Sequence, residues 1–229
     1  YKANTLTENG TVTEAVVETS AELKGYSGLS TTNYLSRASD ADWDVIGTGG
    51  FSLMGWVKTT SSSGDKGLVG FGNADGSDEA VVYIGSGVLK FVVDGAAGTI
   101  GALDGIAVTT NVWHHFACVH VSSTERYIYQ DGVQVASSTT DTGSISDSGN
   151  MPLTIGCHPD GPSMGATTET LSLIRLAATA PTATQIRQMY DAEKGMFVAS
   201  AECLLQSGST DAVLDVDVDP LSGKVLVTQ

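Results

Sequence analysis

Apolar and polar residues alternate in short runs along most of this chain, with a period close to two. Phe51-Ser52-Leu53-Met54-Gly55-Trp56-Val57-Lys58 puts Phe51, Leu53, Gly55 and Val57 on one face of a strand. Val81-Val82-Tyr83-Ile84 and Val88-Leu89-Lys90-Phe91-Val92-Val93 flank Gly85-Ser86-Gly87, a hairpin signal. Trp113 to Val121 predicts a further strand. The clearest local signal is Arg126-Tyr127-Ile128-Tyr129-Gln130-Asp131-Gly132-Val133-Gln134-Val135. Asp131-Gly132 suits a two-residue type I′ turn, because both central positions need positive φ. That register sets Gln130 opposite Val133 and Ile128 opposite Val135 on one face, with Tyr127 and Tyr129 on the other. Many strands at this spacing, with no helices alternating between them, predict an all-β chain folded as an antiparallel β-sandwich.

One short helix is predicted near 183–194. Thr182 and Gln185 form a capping box, Pro181 precedes it, Gly195 is placed to end it, and Ile186, Met189 and Tyr190 make its apolar stripe. Residues 1–30 are β-branched and polar with no helical stripe, and read as a connecting segment of one or two strands that enters the domain. The sandwich itself spans 31–197. Residues 198–229 form a C-terminal β extension, in which Leu214 to Asp219 and Lys224 to Gln229 flank a Pro220-Leu221-Ser222-Gly223 turn. Trp56 and Trp113, each at one end of an alternating strand, are expected to anchor the core.

Composition narrows the class of partner. The 229 residues carry 26 acids against 11 bases, a formal net charge of −15. Such a surface repels phosphate backbones and anionic lipid, which argues against nucleic-acid binding and membrane docking. With 27 glycines and 5 prolines, the chain suits many short strands joined by tight turns. Three cysteines, Cys118, Cys157 and Cys203, cannot all pair within one chain, and two sit in apolar runs. Buried reduced thiols, formed in a reducing cytoplasm, are the simpler account. The sequence shows no signal peptide and no membrane-spanning run. It opens on Tyr1, as a part of something longer would.

Residues 34–197 resemble the laminin-G-like, concanavalin A-like jelly-roll superfamily. The resemblance is carried by six segments in order. These are Asn33-Tyr34-Leu35, Phe51 to Lys58, Trp113-His114-His115-Phe116-Ala117, Tyr127-Ile128-Tyr129-Gln130-Asp131-Gly132, Pro152-Leu153-Thr154-Ile155-Gly156, and Leu173-Ile174-Arg175-Leu176 ahead of the helix. It implies two curved antiparallel sheets packed face to face. A second likeness covers nearly the whole chain. Tyr1-Lys2-Ala3-Asn4, Ala21 to Gly28, Asn33-Tyr34-Leu35 and Cys203-Leu204-Leu205-Gln206 are similar to segments of large phage structural proteins, where the last of these leads into propeller-like repeats. That likeness implies a virion component.

No catalytic or metal residue emerges. His114 and His120 share a strand face but lie six residues apart, roughly 20 Å at about 3.3 Å per residue. Zinc donors must lie about 2 Å from one ion, and His115 points the other way. These histidines, with His158, read as structural. Asp215, Asp217 and Asp219 alternate along one face, a spacing close to that of the acids in a retaining glycosidase. They follow the sandwich instead of lying within it, and read as solvated edge charge. Asp40, Asp42 and Asp44 have the one-three-five spacing of a calcium loop, but Val45 stands where an EF-hand needs glycine and no glutamate closes the loop. The resemblance to the superfamily, some of whose members bind calcium there, leaves a calcium at the sandwich rim open; no other cofactor is expected. No Gly-x-Ser-x-Gly elbow or phosphate loop is found.

The expected function is therefore a non-enzymatic virion structural and interaction protein, in a fibre, tail or decoration role, with neighbouring subunits and host surface glycan as partners. It is expected to form a homo-oligomer, with a trimer favoured. The alternatives are a polysaccharide depolymerase on the same sandwich and a secreted carbohydrate-binding adhesin.

Overall fold

In the computed structural model of the chain, residues 5–19, 21–39, 49–72, 78–95, 101–145, 151–159 and 164–198 are described in full, and 215–218 and 225–228 as strand backbone. Two seven-stranded antiparallel sheets pack face to face, as the alternation predicted. The first sheet runs in the spatial order β1 (Thr7–Asn9), β4 (Tyr34–Arg37), β13 (Leu153–Ile155), β6 (Asp65–Gly72), β7 (Glu79–Gly85), β8 (Val88–Asp94) and β9 (Gly101–Ala107). The second runs β12 (Val133–Ser138), β11 (Glu125–Gln130), β10 (Trp113–Ser122), β5 (Phe51–Thr59), β14 (Glu169–Ala177), β3 (Lys24–Ser27) and β2 (Thr13–Val16).

The core lies between the sheets. Phe51, Leu53 and Val57 of β5 meet Phe71, Val82, Ile84, Phe91 and Val93 of the facing sheet, and the rings of Phe51 and Phe71 pack edge to face with centroids 5.2 Å apart. The opposite face of β5 is buried too. There Met54, with Ala117 and Val119 of β10, is covered by Ile186 of the helix α1 (Ala183–Glu193). A central strand covered on both sides explains why its polar positions are so few. At one end of the sandwich a buried ion pair ties the sheets together: Lys66 Nζ of β6 lies 3.3 Å from Glu169 Oε1 of β14. Thr59 Oγ1 and the Thr168 backbone N–H donate to the same carboxylate at 2.6 and 3.0 Å, the added hydrogen bonds a buried pair requires.

The structure departs from the sequence pattern in three places. Residues 1–30 do more than connect: β1 extends one sheet at its edge while β2 and β3 extend the other, and the chain passes between them at Gly10 with φ +67°. The Asp131-Gly132 turn forms with φ +52° and +74°, and Gln130 faces Val133 as expected. Ile128, however, faces Ala136 and not Val135, because a β-bulge puts one extra residue into β12. Thr182 and Gln185 do form the reciprocal capping box. Gly195 does not end the helical segment: a 3₁₀ turn, Lys194–Phe197, continues through it. Docking of Phe197 onto Trp56, ring centroids 4.1 Å apart, holds the chain in that extra turn. The strand expected over Lys224 to Gln229 does form. Its backbone, β16 (Val225–Thr228), pairs antiparallel with β15 (Asp215–Val218) in a two-stranded sheet of its own.

Candidate functional site

The outer face of the first sheet carries a polar pocket whose floor follows from strand register. Ser36 of β4 lies directly opposite Thr7 of β1 on one side and Thr154 of β13 on the other. Three hydroxyl residues thus stand in a row across three neighbouring strands, at the interstrand spacing of about 4.8 Å. Their inward-pointing neighbours Leu35, Leu153 and Ile155 belong to the core, so the alternation turns the hydroxyls outward. Tyr34, Arg37, Ala38, Pro152, Cys157, His158 and Pro159 complete the walls, and the space enclosed is about 320 Å³.

Local geometry holds these groups in place. Asn9 Nδ2 donates to Ser36 Oγ at 2.8 Å, which leaves the Ser36 O–H free to donate into the pocket. Thr154 Oγ1 donates to the Cys157 carbonyl at 2.9 Å, which leaves its oxygen lone pairs as acceptors. Gly156, with φ +90°, turns the chain out of β13. Gly67 then lets it pass, since a Cβ there would come within 2.7 Å of the Cys157–His158 backbone. His158 is brought to the pocket wall, with Nε2 3.7 Å from the Glu79 carboxylate of β7. The Cys157 thiol is pushed up to about 12 by burial, so it offers no thiolate nucleophile. No Asp or Glu lines the pocket among the described residues. The described lining offers neutral donors and acceptors and an aromatic residue, while Arg37 and His158 are each already engaged by other groups of the chain.

A second concavity, about 510 Å³, lies on the far sheet where α1 ends. Trp56, Trp113, Tyr190 and Phe197 line it. Trp56 and Trp113 are 2% and 8% exposed, and their indole N–H groups are taken by Glu193 at 2.7 Å and Glu18 at 3.0 Å. They are core anchors, as expected, and neither presents an open face for stacking.

The histidines occupy separate environments. His114 Nδ1 lies 2.7 Å from Asp131 Oδ2, and its Nε2 accepts from the Thr109 backbone N–H at 3.2 Å, so it braces the hairpin turn. His120 stacks on Phe51 on the inner face, ring centroids 4.7 Å apart. His115 is buried on the opposite face against Trp56. Among the described residues no group of three His, Cys, Asp or Glu could hold a metal ion. Asp40, Asp42, Asp44, Asp219 and Cys203 lie outside the described residues. Asp215 and Asp217 alternate along β15, opposite Thr228 and Leu226 in the separate two-stranded sheet. The hydroxyl row was not singled out in the sequence, because Thr7, Ser36 and Thr154 come from strands far apart in the chain and no local pattern links them.

Known proteins set this geometry in a family. No curated protein matches the sequence. Among solved structures, the binding domain of Paraclostridial Mosquitocidal Protein 1 is similar with a TM-score of 0.66 and 13% identity, over 82% of this chain and 47% of that one. The botulinum neurotoxin serotype G binding domain is similar with a TM-score of 0.62 and 13% identity, over 82% and 46%. A botulinum neurotoxin type C structure, whose cell entry is described as dependent upon interaction with two ganglioside molecules, gives 0.64 and 12%, over 82% and 46%. This chain spans less than half of those proteins, and at such identities the likeness is one of fold. Residues 29–187 match the laminin-G model of the Concanavalin A-like lectin/glucanases superfamily, and the chain belongs to that superfamily.

Proposed function

We propose that this chain is a non-enzymatic structural and interaction module of a phage virion, in a fibre, tail or decoration protein, and that it contacts host surface glycan through the hydroxyl-floored pocket. The observation that carries the glycan reading is the row Thr7–Ser36–Thr154 beside the Tyr34 ring. Aligned hydroxyls offer paired donors and acceptors to a polyol, and an aromatic ring offers a face to the C–H side of a sugar. A glycosidase needs two carboxyls flanking the scissile bond, and among the described residues the pocket's lining supplies none, which supports a binding role. Ganglioside dependence of a structural neighbour supports glycan contact as a class of activity for this fold. The virion setting rests on the segments that are similar to phage structural proteins. It implies assembly in the host cytoplasm with other virion subunits, as a homo-oligomer for which a trimer is the favoured form.

The test uses the purified chain with bacterial surface polysaccharides. Retention of the polysaccharide without release of reducing ends is the expected result, and Tyr34→Ala should weaken retention several-fold. Release of reducing ends would establish a depolymerase instead. Sedimentation of the intact parent protein checks the assembly: a monomer at micromolar concentration would refute it.

A further inference from the structure

We propose that the fold carries an acid-operated release of α1, in which protonation of His115 frees the helix from the outer face of the second sheet. His115 stands on β10 directly opposite Trp56 of β5. Its ring lies 5.3 Å from the Trp56 ring and 6.1 Å from the ring of Tyr190 on α1, centroid to centroid. The side chain is fully buried, and among the described residues neither ring nitrogen has a hydrogen-bond partner. A neutral imidazole fits such an aromatic site. An imidazolium would bring two charged N–H donors into it with nothing to receive them.

The charged groups around the ring do not meet that need. Glu193 of α1 and Asp131 of the hairpin turn favour the charged ring and Arg175 of β14 opposes it, but desolvation outweighs all three. Both carboxylates are already engaged. Glu193 Oε2 accepts from the Trp56 indole at 2.7 Å, and its Oε1 lies 2.6 Å from Arg175. Asp131 accepts the His115 backbone N–H at 2.9 Å and lies 2.7 Å from His114 Nδ1. Tyr190 has Arg187 and Lys194 over its ring, at 5.4 and 5.5 Å from the centroid. The strand cannot give way, since β10 is paired along its length with β5 and β11. The helix has no such ladder. Side chains hold it: Ile186 in the cluster of Met54, Ala117 and Val119, with Tyr190 and then Phe197 on Trp56. Elements tied by side chains alone open before paired central strands. Opening at α1 admits water to the imidazolium and bares the apolar face beneath Ile186.

Amide hydrogen exchange of the full chain, read as protection factors at about pH 7 and about pH 5, tests the release. The ring titrates at about 4 when covered and near 6.5 when open, so the opening equilibrium should rise about twentyfold over that interval. The amides of α1 should be less protected than those of β5 and β10 at both pH values, and should lose about twentyfold in protection on acidification. His115→Phe keeps a ring in the aromatic site without a titrating group, and should abolish that loss. His120→Gln should leave it unchanged, because His120 stacks on Phe51 on the inner face. This second variant, with the unaltered chain, decides the matter where His115→Phe fails to fold. Amides of α1 that keep their protection at the lower pH would overturn the proposal. So would α1 amides that match those of β5 and β10 at both pH values, since exchange would then pass through unfolding of the whole chain. A loss at α1 that disappears in His120→Gln would overturn it as well.

Discussion

Replacing Trp56 with alanine is expected to destabilise the chain by about 4–5 kcal/mol. Two losses combine. The indole fills the space between β5 and the end of α1, where it stacks on Phe197 at 4.1 Å and on Tyr190 at 5.8 Å. Removing an aromatic of that size from a packed site costs roughly 3–5 kcal/mol through lost burial and the cavity left behind. The indole N–H also donates to Glu193 at 2.7 Å, and Glu193 is 9% exposed. Arg175, 2.6 Å from the other carboxylate oxygen, offsets part of that second loss. Urea unfolding should show a lower midpoint with an unchanged slope. Trp56→Phe keeps the stacking and loses only the donor, so it should lie between the two proteins. An unchanged midpoint in Trp56→Ala would mean that the helix end does not dock as described.

Acid should destabilise the fold well before the carboxylates titrate. Burial lowers the pKa of both His115 and His120 to about 4, against an ordinary value near 6.5. For His115, Glu193 counteracts the shift while Arg175 adds to it; for His120, Arg126 adds to it. A folded-state value below the unfolded one means that the unfolded chain takes up the protons first. The contribution of these two histidines is therefore complete above about pH 6.5, falls as the pH drops toward 4, and levels off below that, where carboxylates with lowered pKa such as Asp191 take over the loss. Integrated over that window, each histidine contributes a loss of about 3 kcal/mol. Denaturant midpoints between pH 6.5 and 5 isolate the effect, because most carboxylates stay ionised there. His115→Gln with His120→Gln should flatten the slope in that window, whatever it does to stability at pH 7.

Most of the sandwich was legible because its signals are local. A period-two run, an Asp-Gly turn and a capping box each depend on residues within one or two elements, and β5, β10, the β11–β12 hairpin and the start of α1 all lie where they were expected. The misses share a different origin. The extra residue in β12 and the continuation through Gly195 both result from packing between elements, Val135 against the core and Phe197 against Trp56. The division of the first sixteen residues between two sheets is a matter of partner choice, which alternation does not encode. The pocket was illegible for the same reason: its floor exists only once β1, β4 and β13 are in register. The burial of both tryptophans, in contrast, followed directly from their places on apolar strands.

The crossing of the chain at Gly10 bears on how this protein can be trimmed. One short stretch, β1 with β2, shields the rim of both sheets on the same side of the molecule. The superfamily match begins only at residue 29, after β3. Cutting there would strip β1 from β4, and β2 and β3 from β14, leaving two rows of bare backbone N–H and C=O groups side by side. Such a fragment would carry every recognisable segment of the fold and yet tend to add foreign strands at two margins. The boundary that sequence similarity draws is thus about twenty residues short of the boundary that solubility requires, by the length of strand needed to cover those margins.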